Sequence, residues 1–71
     1  MGMDERDTAI IIALAEHNMN IGEASEAVFM HRNTVTYRFV KIKRLTGLDP
    51  RNFYDLQKLV GMVTGEKRVL I

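Results

Sequence analysis

The chain contains no cysteine, so neither a disulfide nor a thiolate metal site can reinforce its fold. That absence fits a reducing compartment without proving one, since many exported proteins also lack cysteine. No apolar run approaches the roughly 18 residues that a membrane span needs. The longest, Ala9 to Ala15, is well short of that. The opening Met1-Gly2-Met3-Asp4-Glu5 has neither the basic flank nor the apolar core of a signal peptide. There is no Gly-rich phosphate loop, no nucleophile–base arrangement and no paired-carboxylate constellation. Those absences predict that the chain is not an enzyme and uses no cofactor. His31 has only His17 as a fellow and no carboxylate at ligand spacing, so no metal site is expected. A helical body this small also leaves little room for a small-molecule site.

The most telling absence is of negative charge. From Ala27 to Leu48 there is no acidic residue, while Arg32, Arg38, Lys41, Lys43 and Arg44 are all basic. The rest of the chain carries five basic and nine acidic residues. The formal net charge of +1 hides this separation. A polyanion responds to clustered charge more than to net charge.

With 71 residues, one domain is the limit, and its core is marginal in size. The 46% hydrophobic content suffices for three or four packed helices. A second Met at position 3 points to a start joined to a natural segment, and so to a domain (residues 1–71) cut from a longer protein. Periodicity predicts four helices in an all-α fold. The first spans about residues 4–17, with Asp4, Glu5 and Asp7 favoured in its opening turn by the helix dipole. Its apolar stripe is Ile11, Leu14 and Ala15, with Ile10 or Ile12. The second spans about 21–29, capped by Asn20 with Glu23 three residues on. Ile21, Ala24, Ser25 and Val28 form its inward edge. The third spans about 32–46, with Val35, Phe39, Ile42 and Leu45 on one face. Gly47 suits a left-handed cap, and Pro50 cannot continue the helix. The fourth spans about 53–64, capped by Asn52, with Leu56, Leu59, Val60 and Val63 inward. The tail from Gly65 to Ile71 is expected to be non-helical, packed back on the body or joined to a partner's edge.

Helices two and three are separated by only two or three residues, the spacing of a helix-turn-helix. Such a motif lays its second helix in the DNA major groove, with the first residues against base edges. With Val35 at zero, Phe39 and Ile42 lie within about 40° of it on a helical wheel. Asn33, Tyr37, Lys41 and Arg44 fall on the other side, interrupted by Val40. Arg32 can fork onto guanine O6 and N7, and Asn33 suits adenine N6 and N7. Thr34 and Thr36 can reach phosphates, as can backbone N–H groups at helix starts. Lys41 and Arg44 would supply charge for phosphates. Arg38 sits nearer the apolar side, as a structural or phosphate-bonding residue. Tyr37 has two readings, against DNA or against the body. Lys43 reads as solvated.

The run His31-Arg32-Asn33-Thr34-Val35-Thr36-Tyr37-Arg38-Phe39, then Ile42, then Leu45-Thr46-Gly47-Leu48-Asp49, resembles the C-terminal helix-turn-helix domain of PucR/CdaR-type regulators. These include bacterial regulators of purine and sugar-diacid catabolism. The likeness covers about Ile11 to Val63, and more distantly the chain is similar to the Fis-type fold. The resemblance implies a bacterial transcription regulator, at the nucleoid in the cytoplasm, working on double-stranded DNA as a homodimer. It implies that His31, Arg32 and Tyr37 face bases, and that Asn20, Gly22, Thr34 and Thr36 face the backbone. Ser25 stands where the family usually has Ala, and Gly22 where Ser or Thr is usual. Thr36 and Phe39 stand where Arg and Leu are common. The competing expectation is a helical interaction module docking a partner chain or RNA polymerase through the first and fourth helices.

Overall fold

The computed structural model describes residues 3–65. The expectations for the tail beyond Gly65 lie outside the described residues. Four helices form, and no strand is present among the described residues.

Helix α1 spans Glu5–Glu16 and is capped by Asp4 in extended backbone. Asp4 Oδ1 accepts from the Asp7 N–H at 2.9 Å, and Asp7 Oδ2 accepts from the Asp4 N–H at 3.2 Å. This reciprocal box satisfies two orphan donors of the first turn. Ile10, Ile11, Ala13 and Leu14 are buried, while Ala15, expected inward, is exposed. After the His17 cap the chain reverses through Asn18 (φ 55°) and Met19 (φ 64°). Met19 N–H reaches back to the Leu14 carbonyl at 2.8 Å, which closes the end of α1.

Helix α2, Ile21–Ala27, starts where Asn20 Oδ1 accepts from the Glu23 N–H at 2.9 Å. It stops two residues before the expected Phe29. Phe29 takes φ 58°, and Met30 and Phe29 donate to the carbonyls of Ser25 and Glu26. A left-handed residue cannot continue a right-handed helix, and these two bonds satisfy the freed carbonyls. The Ser25 hydroxyl, buried at the helix crossing, donates to the Gly22 carbonyl at 2.8 Å, so it brings no unmet donor into the core.

Helix α3, Arg32–Thr46, ends at Gly47 with φ 78°, where the Gly47 N–H bonds the Lys43 carbonyl. Val35, Phe39 and Ile42 are buried, but Leu45 is 47% exposed, against expectation. The α3 stripe drifts off the body in its last turn, where Leu48 packs against the core instead. The connection to α4, Phe53–Thr64, is tied by Asp55 Oδ2 accepting from Asp49 N–H at 3.0 Å. Asn52 caps α4, Pro50 is buried, and the Arg51 guanidinium lies 5.6 Å above the Phe39 ring.

The core joins α1 to all three other helices through Ile10, Ile11, Leu14, Ala24, Val35, Phe39, Ile42, Leu56 and Leu59. Helix α1 is thus the central post of the domain. Helices α2 and α3 pack on it and on each other, which fixes the two-helix motif as one unit.

Candidate nucleic-acid interface

The connection between α2 and α3 is Val28 to His31, and the first turn of α3 projects from it. His31 is the N-cap of α3: its Nδ1 accepts from the Asn33 N–H at 3.0 Å. His31, Arg32, Asn33 and Thr34 are all exposed, and Tyr37 is 70% exposed. The ring of Tyr37 therefore does not pack into the body. The side chains of Arg32, Asn33, Thr34, Tyr37 and Arg44 make no hydrogen bond or ion pair among the described residues. Thr36 is half-buried, and its hydroxyl donates to the Arg32 carbonyl at 3.0 Å. Its oxygen retains accepting capacity, but its proton is engaged within the helix.

The α2 start lies beside the α3 start. The Arg32 Nη2 stands 3.2 Å from where a Cβ on Gly22 would sit, and Asn20 Oδ1 stands 3.3 Å from that point. The missing side chain at Gly22 lets the guanidinium lie close over the first turn of α2. Asn20, Gly22 and Arg32 are thereby brought together, although the Asn20 oxygen is already used as a cap.

Arg38, expected as a structural or phosphate-bonding residue, and Lys41, expected at phosphates, both meet acids from the start of the chain. Arg38 Nη1 donates to Asp7 Oδ1 at 2.9 Å and to Asp4 Oδ1 at 3.2 Å. Lys41 Nζ lies 2.8 Å from Asp7 Oδ2 and 3.7 Å from Asp4 Oδ2. Asp7 has no solvent exposure. These contacts raise both cations' pKa values, chiefly through their hydrogen bonds to Asp7. The Asp4 carboxyl is lowered from its ordinary 3.8 to about 2, first by the Asp7 backbone N–H and then by Arg38 and Lys41. Two of the five cations in the acid-free run are thus spent on acids from the start of the chain. Charge separated in sequence is not charge separated in space. Lys43 keeps 63% of its side chain exposed, with Asp49 Oδ2 3.9 Å away.

Sequence reasoning credited Asp7 only to the helix dipole. The signal was present: Ile10, Ile11 and Leu14 lie three, four and seven residues after it. That spacing places Asp7 on the buried stripe, where an acid requires a partner.

Short helices in this order, a tight connection and an exposed polar first turn define a helix-turn-helix domain. Residues 8–60 match the PucR C-terminal helix-turn-helix domain, and the chain belongs to that family. It is 47% identical over 45 residues to the carbohydrate diacid regulator of Escherichia coli strain K12, a stretch covering 63% of this chain and 12% of that protein. The chain therefore spans a small part of that relative's length. No solved structure matches it. The family is that of a transcription-regulator helix-turn-helix domain, not an enzyme family. No helix of the described residues is long and apolar enough to cross a membrane, and no group of potential metal ligands occurs among them.

Proposed function

We propose that this domain binds duplex DNA sequence-specifically by laying α3 in the major groove, as the output part of a transcription regulator. The observation that carries this reading is the division of α3. One side, Val35, Phe39 and Ile42, is buried on α1, while Arg32, Asn33, Thr34 and Tyr37 stand exposed with unengaged side chains. His31, Arg32, Asn33 and Tyr37 are the base-reading set. Arg32 is suited to a forked guanine contact, and Asn33 to adenine. Asn20, Gly22, Thr34 and Thr36 approach the backbone, through main-chain N–H groups where side chains are engaged. Arg44 supplies charge farther along the groove. Arg38 and Lys41 act mainly by orienting α3, because Asp4 and Asp7 hold them.

One module of this size binds weakly, and two modules would read half-sites about one helical turn (~34 Å) apart. Exposed Phe53, Tyr54 and Met62 on α4 favour a second surface that docks a partner chain, with homodimerisation the simplest use. The two roles are compatible, since they use different helices.

The test is fluorescence anisotropy of labelled duplex at several salt concentrations, with duplexes drawn from a random-library selection. Binding that weakens with salt, with a log–log slope of roughly −0.9 per neutralised phosphate, and a recovered consensus are expected. A flat slope, or no enrichment of any sequence, would refute the reading.

A further inference from the structure

We infer that the α3 cap locks His31 into a single tautomer, so that it presents DNA with one N–H donor and selects a hydrogen-bond acceptor. The inference deepens the DNA-reading assignment above and rests on it. A neutral imidazole carries one donor nitrogen and one acceptor nitrogen, and the two swap between tautomers. The partner of one nitrogen decides the role of the other. Here the Asn33 N–H points at Nδ1 from 3.0 Å. A backbone N–H can only donate, so Nδ1 must carry a lone pair. The proton then resides on Nε2, across the ring. No contact among the described residues occupies Nε2, and His31 is exposed.

The consequence is directional. An Nε2–H can bond guanine N7 or O6, thymine O4 or a phosphate oxygen. It cannot accept from the amino groups of adenine or cytosine. The same bond ties the donor to the helix start, because the ring that caps α3 is the ring that meets the DNA. Arg32 and Asn33 follow on the first turn, so a cap that moved would move the base-reading set with it. His17 provides an internal contrast. Its Nδ1 faces an acceptor, Glu23 Oε1 at 3.5 Å, where the Nδ1 of His31 faces a donor.

The first experiment needs no DNA. Long-range ¹H–¹⁵N correlation spectra of the full chain at neutral pH report which ring nitrogen is protonated. His31 should show a protonated Nε2 and a bare Nδ1; a protonated Nδ1 overturns the inference whatever the chain binds. The second experiment separates cap from donor with two variants. His31→Asn keeps an oxygen at the δ position for the cap and removes the outer donor. His31→Gln places an amide N–H near the ε position and gives up the short cap. His31→Asn should hold the wild-type Tm yet lose affinity for selected duplexes by about fivefold to tenfold, the worth of one hydrogen bond. His31→Gln should lose roughly 5 °C in Tm, as a lost cap does in a domain this small, and keep more of the affinity. Equal affinities for wild type and His31→Asn overturn the donor role. In selected duplexes, loss of the wild-type advantage with methylphosphonate linkages identifies a phosphate acceptor, its loss with 7-deazaguanine identifies guanine N7, and its survival in both identifies a base oxygen, guanine O6 or thymine O4. If wild type binds no duplex at any salt, the DNA reading itself fails, and the tautomer spectrum still stands as a separate result.

Discussion

Replacing Asp7 by Ala tests whether one buried carboxylate holds α3 on the body. Asp7 is fully enclosed and serves three donors: Arg38 at 2.9 Å, Lys41 at 2.8 Å and the Asp4 N–H at 3.2 Å. Removing one member of a fully buried ion pair typically costs about 3–5 kcal/mol, because the other charge is stranded. That is too much here, since the side chains of Arg38 and Lys41 retain 18% and 30% exposure and can recover water. Desolvation of the carboxylate is also regained when it is deleted. A loss of about 2–3 kcal/mol is the reasoned value, below the full buried-pair cost and above a surface pair's 0–1 kcal/mol. A chain of this length is stable by only roughly 4–10 kcal/mol, so the variant should still fold, with a Tm lower by about 10–20 °C. Urea denaturation followed by circular dichroism measures the difference directly. Asp7→Asn keeps the shape and the acceptor for Arg38, so it should fall between Asp7→Ala and wild type. In a double-mutant cycle with Arg38→Ala, the double variant should lose less than the sum of the two single losses. A loss under about 0.5 kcal/mol for Asp7→Ala, in the range of unremarkable surface changes, would refute the clamp.

Arg32→Ala should leave stability within about 0.5 kcal/mol, cost about 1–3 kcal/mol in binding to a selected duplex and relax the consensus at one position, as read by anisotropy and repeated selection. Arg44→Ala should reduce the salt slope by about one, whereas Lys41→Ala should leave the slope nearly unchanged, because Lys41 is turned toward Asp7. Gly22→Ala should weaken DNA binding, since its Cβ would meet Arg32 Nη2 at 3.2 Å, and should change the urea-measured stability little, because the helix-propensity gain of up to about 1 kcal/mol is offset by pressure on the capping Asn20 Oδ1 at 3.3 Å. Phe29→Gly should raise stability modestly, by up to about 1 kcal/mol in urea denaturation, because it removes left-handed backbone strain and loses only a ring that is 95% exposed. Asp4 bears on acid stability: its folded pKa of about 2 lies below its ordinary 3.8, so its contribution is whole above pH 3.8 and is lost as pH falls through 2. Urea midpoints of wild type and Asp4→Asn should therefore differ at pH 5 and converge toward pH 2.

Much of the fold was legible because local rules and tertiary packing agree. Val35, Phe39 and Ile42 give α3 one buried face, Gly47 ends it, and the helix runs Arg32–Thr46 as the periodicity requires. Asn20 and Asn52 cap the helices that follow them, as their chemistry predicts. The second helix was overestimated because its end rests on a positive φ at Phe29, a residue whose side chain gives no warning of one. Spacing places Leu45 on the stripe, but it stands about 80° from Val35 on the wheel, and it is exposed while Leu48 packs on the core. The exposed polar turn at His31 to Tyr37 could be read from the wheel. Its hydrogen-bond polarity could not, because the tautomer of His31 depends on where the Asn33 N–H points.

The charge argument changes most when the chain folds. A run without acids gathers five cations on one segment of sequence, yet Asp4 and Asp7 approach from the start of α1 and take Arg38 and Lys41. The exchange trades nonspecific attraction for geometry. Fewer free cations mean a shallower salt dependence and weaker binding to arbitrary duplex. A helix tethered near its middle by buried ionic bonds holds its first turn at a fixed angle to the body. Base contacts lose their value when groups are misplaced by even an ångström, so fixed orientation favours discrimination over raw affinity. The clamp and the His31 cap then act on the same element from two points. Asp7 sets how α3 lies on α1, and, on the proposed DNA reading, the cap sets which atom leads its first turn toward the groove.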